Sequence, residues 1–270
     1  MTILQITWDV SPVIFTIGSL SIRWYGLFWA LSFYLGYEII SRIFKRESVP
    51  QEQADKLLIY MAIGSIIGAR LGHCFFYDFN YFIQNPIEIL KIWQGGLASH
   101  GGAIGILVAL YFYQKKVSNK SFVWLLDRLV IPIALGAFFI RMGNLMNSEI
   151  YGLETGLPWG FIFVRAGETV AKHPTQFYEG IPYLLLFLTL GWLYLKKSKV
   201  LPPGFLMGLF AIVMFSVRIL VEFVKLDQSP FEANMALNMG QILSIPLLVA
   251  GIVIMIWSLK RKQEPVATKK

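Results

Sequence analysis

A polar cluster interrupts one of the most apolar stretches of this chain. Arg141-Met142-Gly143-Asn144-Leu145-Met146-Asn147-Ser148-Glu149 follows directly on the apolar run Leu129 to Ile140. An arginine near a bilayer centre costs roughly 2.5 to 3.5 kcal/mol on translocon scales, and such residues usually face a protein interior or a water-filled cavity. The residue types point to anion chemistry. A guanidinium fork makes bidentate, charge-assisted hydrogen bonds to phosphate oxygens and keeps its charge at any working pH. Three more places show the same habit: Arg70, Arg218 with Glu222 four residues on, and His100 within Gly95-Gly96-Leu97-Ala98-Ser99-His100-Gly101-Gly102. Gly101 and Gly102 would let backbone N–H groups at a helix start approach a negative charge. The positive end of that helix would favour a neutral, base-competent imidazole at His100.

The elements that carry these residues are expected to be membrane-spanning helices. Hydrophobic residues make up 56% of the 270, charged residues only 15%, and mean hydropathy is +0.60. Several apolar runs reach the roughly 20 residues needed to cross a hydrocarbon core of about 30 Å. Helices are expected at Trp24–Phe44, Leu57–Phe76, Leu97–Tyr113, Phe122–Ile140, Gln176–Leu195, Gly204–Val224 and Ile242–Leu259. The reading is an all-α polytopic membrane protein with about seven spans, forming a single transmembrane catalytic domain over residues 1–270. Tyr151 to Thr175 reads as a small extracytoplasmic cap and residues 260–270 as a solvated tail. The first fifteen residues carry no basic n-region, so no secretory leader is expected.

The net charge of +8 is an orientation signal rather than a nucleic-acid patch. Fifteen of the 24 Lys and Arg fall at alternate helix junctions and in the tail, among them Arg42, Lys45, Arg46, Lys115, Lys116, Lys196, Lys197, Lys199 and Lys260. The positive-inside rule then places the amino terminus outside and the carboxy terminus in the cytoplasm. Counted from the inner helix starts at 1.5 Å per residue, Arg70, Arg141 and Arg218 lie roughly 20 to 28 Å up a 30 Å slab. Tyr25 and His100, which open their helices from the outer side, fall in the same layer. Three arginines at one depth repel each other unless an anion lies between them, and a lipid phosphate of the outer leaflet is the natural one.

Each residue also has a plainer explanation. Arg218 and Glu222 could form an i, i+4 ion pair, Arg70 could snorkel outward, and Arg141, Asn144 and Ser148 could bond a neighbouring helix. His100 could cap a helix, while Asp127 and Arg128 near the inner interface read as paired or snorkelling. His73 and the single cysteine, Cys74, read as packing residues, and no metal set or disulfide framework is expected. A small-anion or lipid transporter built on the same polar layer is the competing class. Inverted repeats and half-helices broken at midplane would mark it, and the sequence shows neither.

Several segments together resemble the bacterial phosphatidylglycerol–prolipoprotein diacylglyceryl transferase family. They are Arg23-Trp24-Tyr25-Gly26-Leu27, Gly68-Ala69-Arg70-Leu71-Gly72, the Gly95 to Gly102 stretch, and Arg141 to Gly152 with its Arg-x-Gly-Asn-x-x-Asn-x-Glu-x-x-Gly pattern. His173-Pro174-Thr175-Gln176-Phe177-Tyr178-Glu179 and Arg218 to Phe223 agree as well. Departures are Ile140 for a usual glycine, Leu145 for phenylalanine, Met214 for tyrosine and Lys225 for arginine. The resemblance implies an enzyme of the bacterial cytoplasmic (inner) membrane with its active site toward the outer leaflet. Such an enzyme moves diacylglyceryl from phosphatidylglycerol to the lipobox cysteine thiol of a prolipoprotein signal peptide, releases glycerol 1-phosphate and needs no cofactor or metal. Catalytic roles are expected for His100, Arg141 and Arg218. Substrate contacts are expected from Tyr25, Arg70, Gly101, Gly102, Asn144, Asn147, Glu149, Gly152 and Glu222, with Glu149 and Glu222 orienting the arginines.

Overall fold

The computed structural model describes residues 5–92, 95–96, 98–198, 200–226 and 235–261, apart from the side chain of Ser99. Eight α-helices appear among them: α1 Trp24–Arg46, α2 Gln51–Phe76, α3 Phe79–Gln84, α4 Ser99–Lys116, α5 Phe122–Met146, α6 Thr175–Lys197, α7 Phe205–Glu222 and α8 Met239–Lys260. All but α3 are long and coincide with the seven expected spans. Trp93, Leu97, Lys199 and the tail beyond Arg261 lie outside the described residues.

Six of these helices, α1, α2, α5, α6, α7 and α8, are long and apolar enough to cross a membrane. α4 is the exception, because its 18 residues begin with Ser99-His100 and end in Gln114-Lys115-Lys116, which dilutes its apolar centre. Large apolar side chains cover the outside: Ile59, Ile63, Ile67 and Phe75 on α2, Leu185, Leu188 and Trp192 on α6, and Val249, Val253 and Ile256 on α8 are all exposed. Such an outward apolar surface is the reverse of a soluble protein's and marks a multi-pass membrane protein.

The chain divides into two compact units, residues 37–125 in one and residues 1–36 with 126–270 in the other. In the shorter unit, glycines at four-residue spacing let α2 and α4 approach backbone to backbone. A Cβ on Gly68 would fall 2.4 Å from the Gly101 carbonyl oxygen, and one on Gly105 would fall 2.1 Å from that of Gly64. Small residues drive helix packing in lipid, where no hydrophobic effect does.

In the larger unit α5 is the central helix, burying Leu129, Val130, Ile131, Ala134 and Leu135. Asp127, which lies within electrostatic reach of Arg128, has a further task there. Its carboxylate accepts the Gly204 N–H at 2.7 Å and the Met207 N–H at 2.9 Å, so it caps the start of α7 from another helix. Arg128 lies over the Tyr194 ring.

Short strands add to the all-α reading without changing it. β1 (Ile6–Trp8) pairs in parallel with β4 (Phe161–Phe163), and β2 (Val13–Ile17) forms a hairpin with β3 (Leu20–Arg23) that runs straight into α1. The segment expected as a cap is ordered by an apolar cluster of Met142, Leu145, Phe161 and Phe163, with Trp8, Tyr151 and Phe177 packed against it. The Trp8 indole N–H donates to the Leu145 carbonyl at 3.0 Å, tying the first strand to the last turn of α5. Lys172 ties the cap within itself through Glu168 at 3.2 Å and Glu154 at 3.3 Å. Burial works against its charge, yet those two carboxylates hold its pKa above the usual lysine value.

Candidate active site

The polar cluster begins inside α5 rather than after it. The helix does not stop near Ile140 but runs to Met146, so Arg141 and Asn144 share a helix face one turn apart. Gly143 in this last stretch leaves room for the Tyr25 ring of α1: a Cβ at 143 would fall 2.7 Å from Tyr25 Cδ2. Tyr25 thereby comes within electrostatic reach of Glu149 and Arg141.

Arg141 is buried, and its main partner is one the sequence did not single out. Its Nε pairs with Glu179 Oε2 from the first turns of α6. Its Nη1 donates to Asn144 Oδ1 at 3.1 Å, and it also bonds the Tyr183 hydroxyl. Glu179 is fully buried and faces a second cation, with Lys225 Nζ 3.6 Å from its Oε1. Lys225 in turn donates to Glu222 Oε1 at 3.0 Å, while Asn238, the N-cap of α8, donates to Glu222 Oε2 at 3.2 Å. Burial, reinforced by the charge of Arg141, pushes the Lys225 pKa below the usual lysine value, against the pull of Glu179 and Glu222. Lys225 thus keeps a cation where an arginine was expected.

Two assigned roles change on this geometry. Glu222 does not orient an arginine, since its oxygens are turned to Lys225 and Asn238. The i, i+4 pair of Arg218 with Glu222 does not form either. Arg218, half-buried on α7, enters no ion pair among the described residues, and its charge acts together with that of Arg141 on the phenol of Tyr183. Glu149 keeps an orienting part, though at one remove. It accepts from Asn144 Nδ2 at 2.9 Å and Asn147 Nδ2 at 3.2 Å, so Asn144 relays it to Arg141. Asn144 thus bonds Arg141 through its oxygen and Glu149 through one N–H of its amide nitrogen.

After α5 the backbone is strained where the signature continues. Ser148 and Ile150 have φ of 52° and 60°, a region costing of order 1–3 kcal/mol for such residues and most unusual for a β-branched one. Two side chains opening α6 hold it there. Gln176 donates to the Glu149 carbonyl at 2.8 Å and Thr175 to that of Ile150 at 2.7 Å. Gly152 follows, and its place is structural: a Cβ would meet the Val224 carbonyl oxygen at 2.2 Å, while its N–H donates to His173 at 2.8 Å.

In the shorter unit His100 is exposed in the first turn of α4. Gly101 and Gly102 have further tasks in the packing and capping of α4. Gly101 is required by the close approach to Gly68, and the Gly102 N–H is already donated to the Ala98 carbonyl. Arg70 is buried with its guanidinium turned to the backbone carbonyls of Glu88, Ile89, Gly95 and Gly96. It neither snorkels nor presents its fork to open space.

Comparison with known proteins gives this arrangement its context. The family model described as prolipoprotein diacylglyceryl transferase matches residues 12–257. The chain belongs to that family. A relative from Chloroherpeton thalassium is 45% identical over 258 residues, covering 96% of each chain. One from Tolumonas auensis is 44% identical over 255 residues, covering 94% of this chain and 98% of its own. A third, from Porphyromonas gingivalis, is 43% identical over 269 residues. All three are named phosphatidylglycerol–prolipoprotein diacylglyceryl transferase.

Within this family member, Glu179 and Lys225 stood in the sequence only within a resembling segment and as a departure, and Tyr183 and Asn238 were not named; all four lie in the group around Arg141. Glu179 had a signal, being a carboxylate one turn into an apolar helix, where a buried charge requires a partner. Tyr183, one turn further along α6, had none.

Proposed function

We infer that this chain transfers the diacylglyceryl group of phosphatidylglycerol to the thiol of a lipobox cysteine in prolipoprotein signal peptides, releasing glycerol 1-phosphate. Family membership across nearly the whole chain supports the reaction. The observation that carries the chemistry is the buried group around Arg141. Its charge is matched by Glu179 and its direction set by Asn144, while Arg218 remains without a carboxylate among the described residues. A phosphate is the partner such a pair of guanidinium groups would accept.

The reaction is a displacement at carbon. The substrate sulfur bonds to the glycerol carbon that bears the phosphate, the carbon–oxygen bond to phosphate breaks, and the electron pair stays on the leaving phosphate oxygen. A free thiol has a pKa of about 8.5, so little of it is nucleophilic thiolate at neutral pH. A positioned base is worth about 10² to 10⁴ in rate. His100 takes this proton in our reading, supported by its place in the first turn of α4 after the Gly95-Gly96 turn. Arg141 and Arg218 stabilise charge on the leaving phosphate, and Tyr25 donates its hydroxyl beside them. Glu149, Asn144 and Asn147 act through Arg141. The remaining roles follow from the same reading. Residues 1–270 work as one catalytic domain in the bacterial cytoplasmic membrane, with the amino terminus outside, residues 151–175 as the extracytoplasmic cap and the active site toward the outer leaflet. The asymmetry of Lys and Arg supports that orientation.

Purified protein supplied with radiolabelled phosphatidylglycerol and a lipobox peptide tests this. Label should appear on the peptide in thioether linkage with equimolar glycerol 1-phosphate, and a Cys→Ser peptide should receive none. Label on the serine peptide, or flux of lipid across liposomes without transfer, would overturn the reading.

A further inference from the structure

Arg70 shares the sequence character of Arg141 but not its surroundings. It lies on α2, 5% exposed. Nε donates to the Ile89 carbonyl at 2.9 Å, Nη1 to Gly95 at 2.6 Å and Gly96 at 3.3 Å, and Nη2 to Glu88 at 2.5 Å. The Phe82 ring covers the guanidinium at 5.0 Å from its centroid. Four of the five N–H groups of an arginine are thereby used on backbone oxygen, and little is left for a lipid phosphate.

The acceptors belong to one short segment that leads into α4. Gly95 and Gly96 have φ of 90° and 69°, the left-handed region that aims consecutive carbonyls at one donor and that a side chain would resist. At Gly96 a Cβ would also fall 2.8 Å from Arg70 Nη1 and 2.5 Å from the His73 ring, so the turn is pressed against α2 with no space for a methyl group. The residue before Arg70 completes the attachment, as the Ala69 carbonyl accepts the Ala98 N–H at 2.9 Å. Ser99 and His100 come next. Two consecutive residues of α2 therefore hold the chain on its way into the turn that bears His100.

We propose that Arg70 is a positioning residue for transfer: it clamps Glu88, Ile89, Gly95 and Gly96 through their carbonyls and so fixes where α4 begins and where His100 is presented. It is not a phosphate ligand. This rests on the role given to His100 above. The planar fork is essential to the arrangement, because a lysine ammonium keeps the charge but cannot reach carbonyls spread around the edge of the guanidinium plane. A displacement of about 1 Å in a reacting group can cost of order 100-fold in rate.

Arg70→Lys is the discriminating substitution, assayed with purified protein, phosphatidylglycerol and a lipobox peptide. The clamp predicts kcat down about 100-fold, KM for phosphatidylglycerol unchanged, and faster hydrogen exchange confined to the 85–100 segment. A phosphate ligand predicts the reverse: a raised KM, a largely retained kcat and unchanged exchange. That result, or full activity, would overturn the proposal. Should Arg70→Lys fail to insert, Gly96→Ala, which leaves α2 intact and displaces Arg70 Nη1, decides by the same readouts. His100→Gln separates the two levels of inference. If it retains the wild-type rate and pH profile, the role of His100 fails whatever Arg70 does. If it is slow while Arg70→Lys keeps its kcat, the clamp alone fails.

Discussion

Glu179→Gln is the substitution in which the buried charges around Arg141 can be worked out most fully. It preserves shape and removes the one negative charge that faces both Arg141 and Lys225. The Glu179 side chain is wholly buried and that of Arg141 is only 11% exposed, so water cannot replace what is lost. Removing one partner of a buried ion pair costs about 3–5 kcal/mol. The glutamine carbonyl can still accept from Arg141, which favours the lower end of that range. Lys225 can relieve part of it by shedding a proton, since burial already depresses its pKa. Arg141 cannot, because a guanidinium stays protonated in proteins. The remaining imbalance therefore falls on the aim of Arg141. One charge-assisted hydrogen bond to the leaving phosphate is worth about 1.5–3 kcal/mol, and at 1.36 kcal/mol per decade that is about 10- to 150-fold in kcat. The assay is the initial rate of diacylglyceryl transfer at saturating phosphatidylglycerol, normalised to inserted protein. Lys225→Met in the Glu179→Gln background should not restore rate, because Arg141 still lacks its carboxylate and Glu222 then loses its cation. A wild-type kcat in Glu179→Gln would refute the reasoning, for it would mean that the direction of Arg141 does not depend on its carboxylate.

Other outcomes follow from single contacts. Gly143→Val should insert yet lose most transfer, because its Cβ occupies the place of the Tyr25 ring 2.7 Å away; rates measured alongside Tyr25→Phe check this. Asp127→Asn should leave kcat unchanged and lower thermal stability by about 1 kcal/mol, the usual worth of a helix cap, read as the melting midpoint of detergent-solubilised protein. His173 gives a pH dependence. Burial lowers its pKa from the usual 6.5, so the folded cap favours the neutral ring that meets the Tyr178 hydroxyl at 3.1 Å. The resulting stability is complete above pH 6.5 and is lost as pH falls through the lowered value. Hydrogen-exchange protection in residues 151–173, taken relative to the intrinsic rate at each pH, should fall between pH 7 and 5, and His173→Gln should flatten that change.

The long helices were legible because an apolar run of about 20 residues has few alternatives in a chain of this composition. Their ends were less so. α5 carries an arginine and an asparagine beyond its apolar run and stays helical through both. The β2–β3 hairpin had a readable signal in Gly18-Ser19 between apolar residues, a two-residue loop with Gly18 at φ 59°. β1 and β4 had none, since three-residue strands 155 residues apart pair through tertiary packing alone. The same limit applies to the site. Arg141, Asn144 and Glu149 stood out as polar residues in an apolar helix, but their connections run through Glu179, Lys225 and Asn238 on three other segments. Arg70 shows the opposite failure. Its type and helix position matched Arg141, and only the four carbonyls around it reveal a different task.

The central claim is that Arg141, held by Glu179 and assisted by Arg218, receives the phosphate as the carbon–oxygen bond breaks. Its most direct test is single-turnover transfer by Arg141→Ala, with insertion verified and phosphatidylglycerol saturating. The rate should fall by at least about 100-fold, the usual consequence of losing one preorganised donor to a developing charge, with no recovery at higher lipid. Transfer at the wild-type rate, or a defect cured by more phosphatidylglycerol, would contradict it.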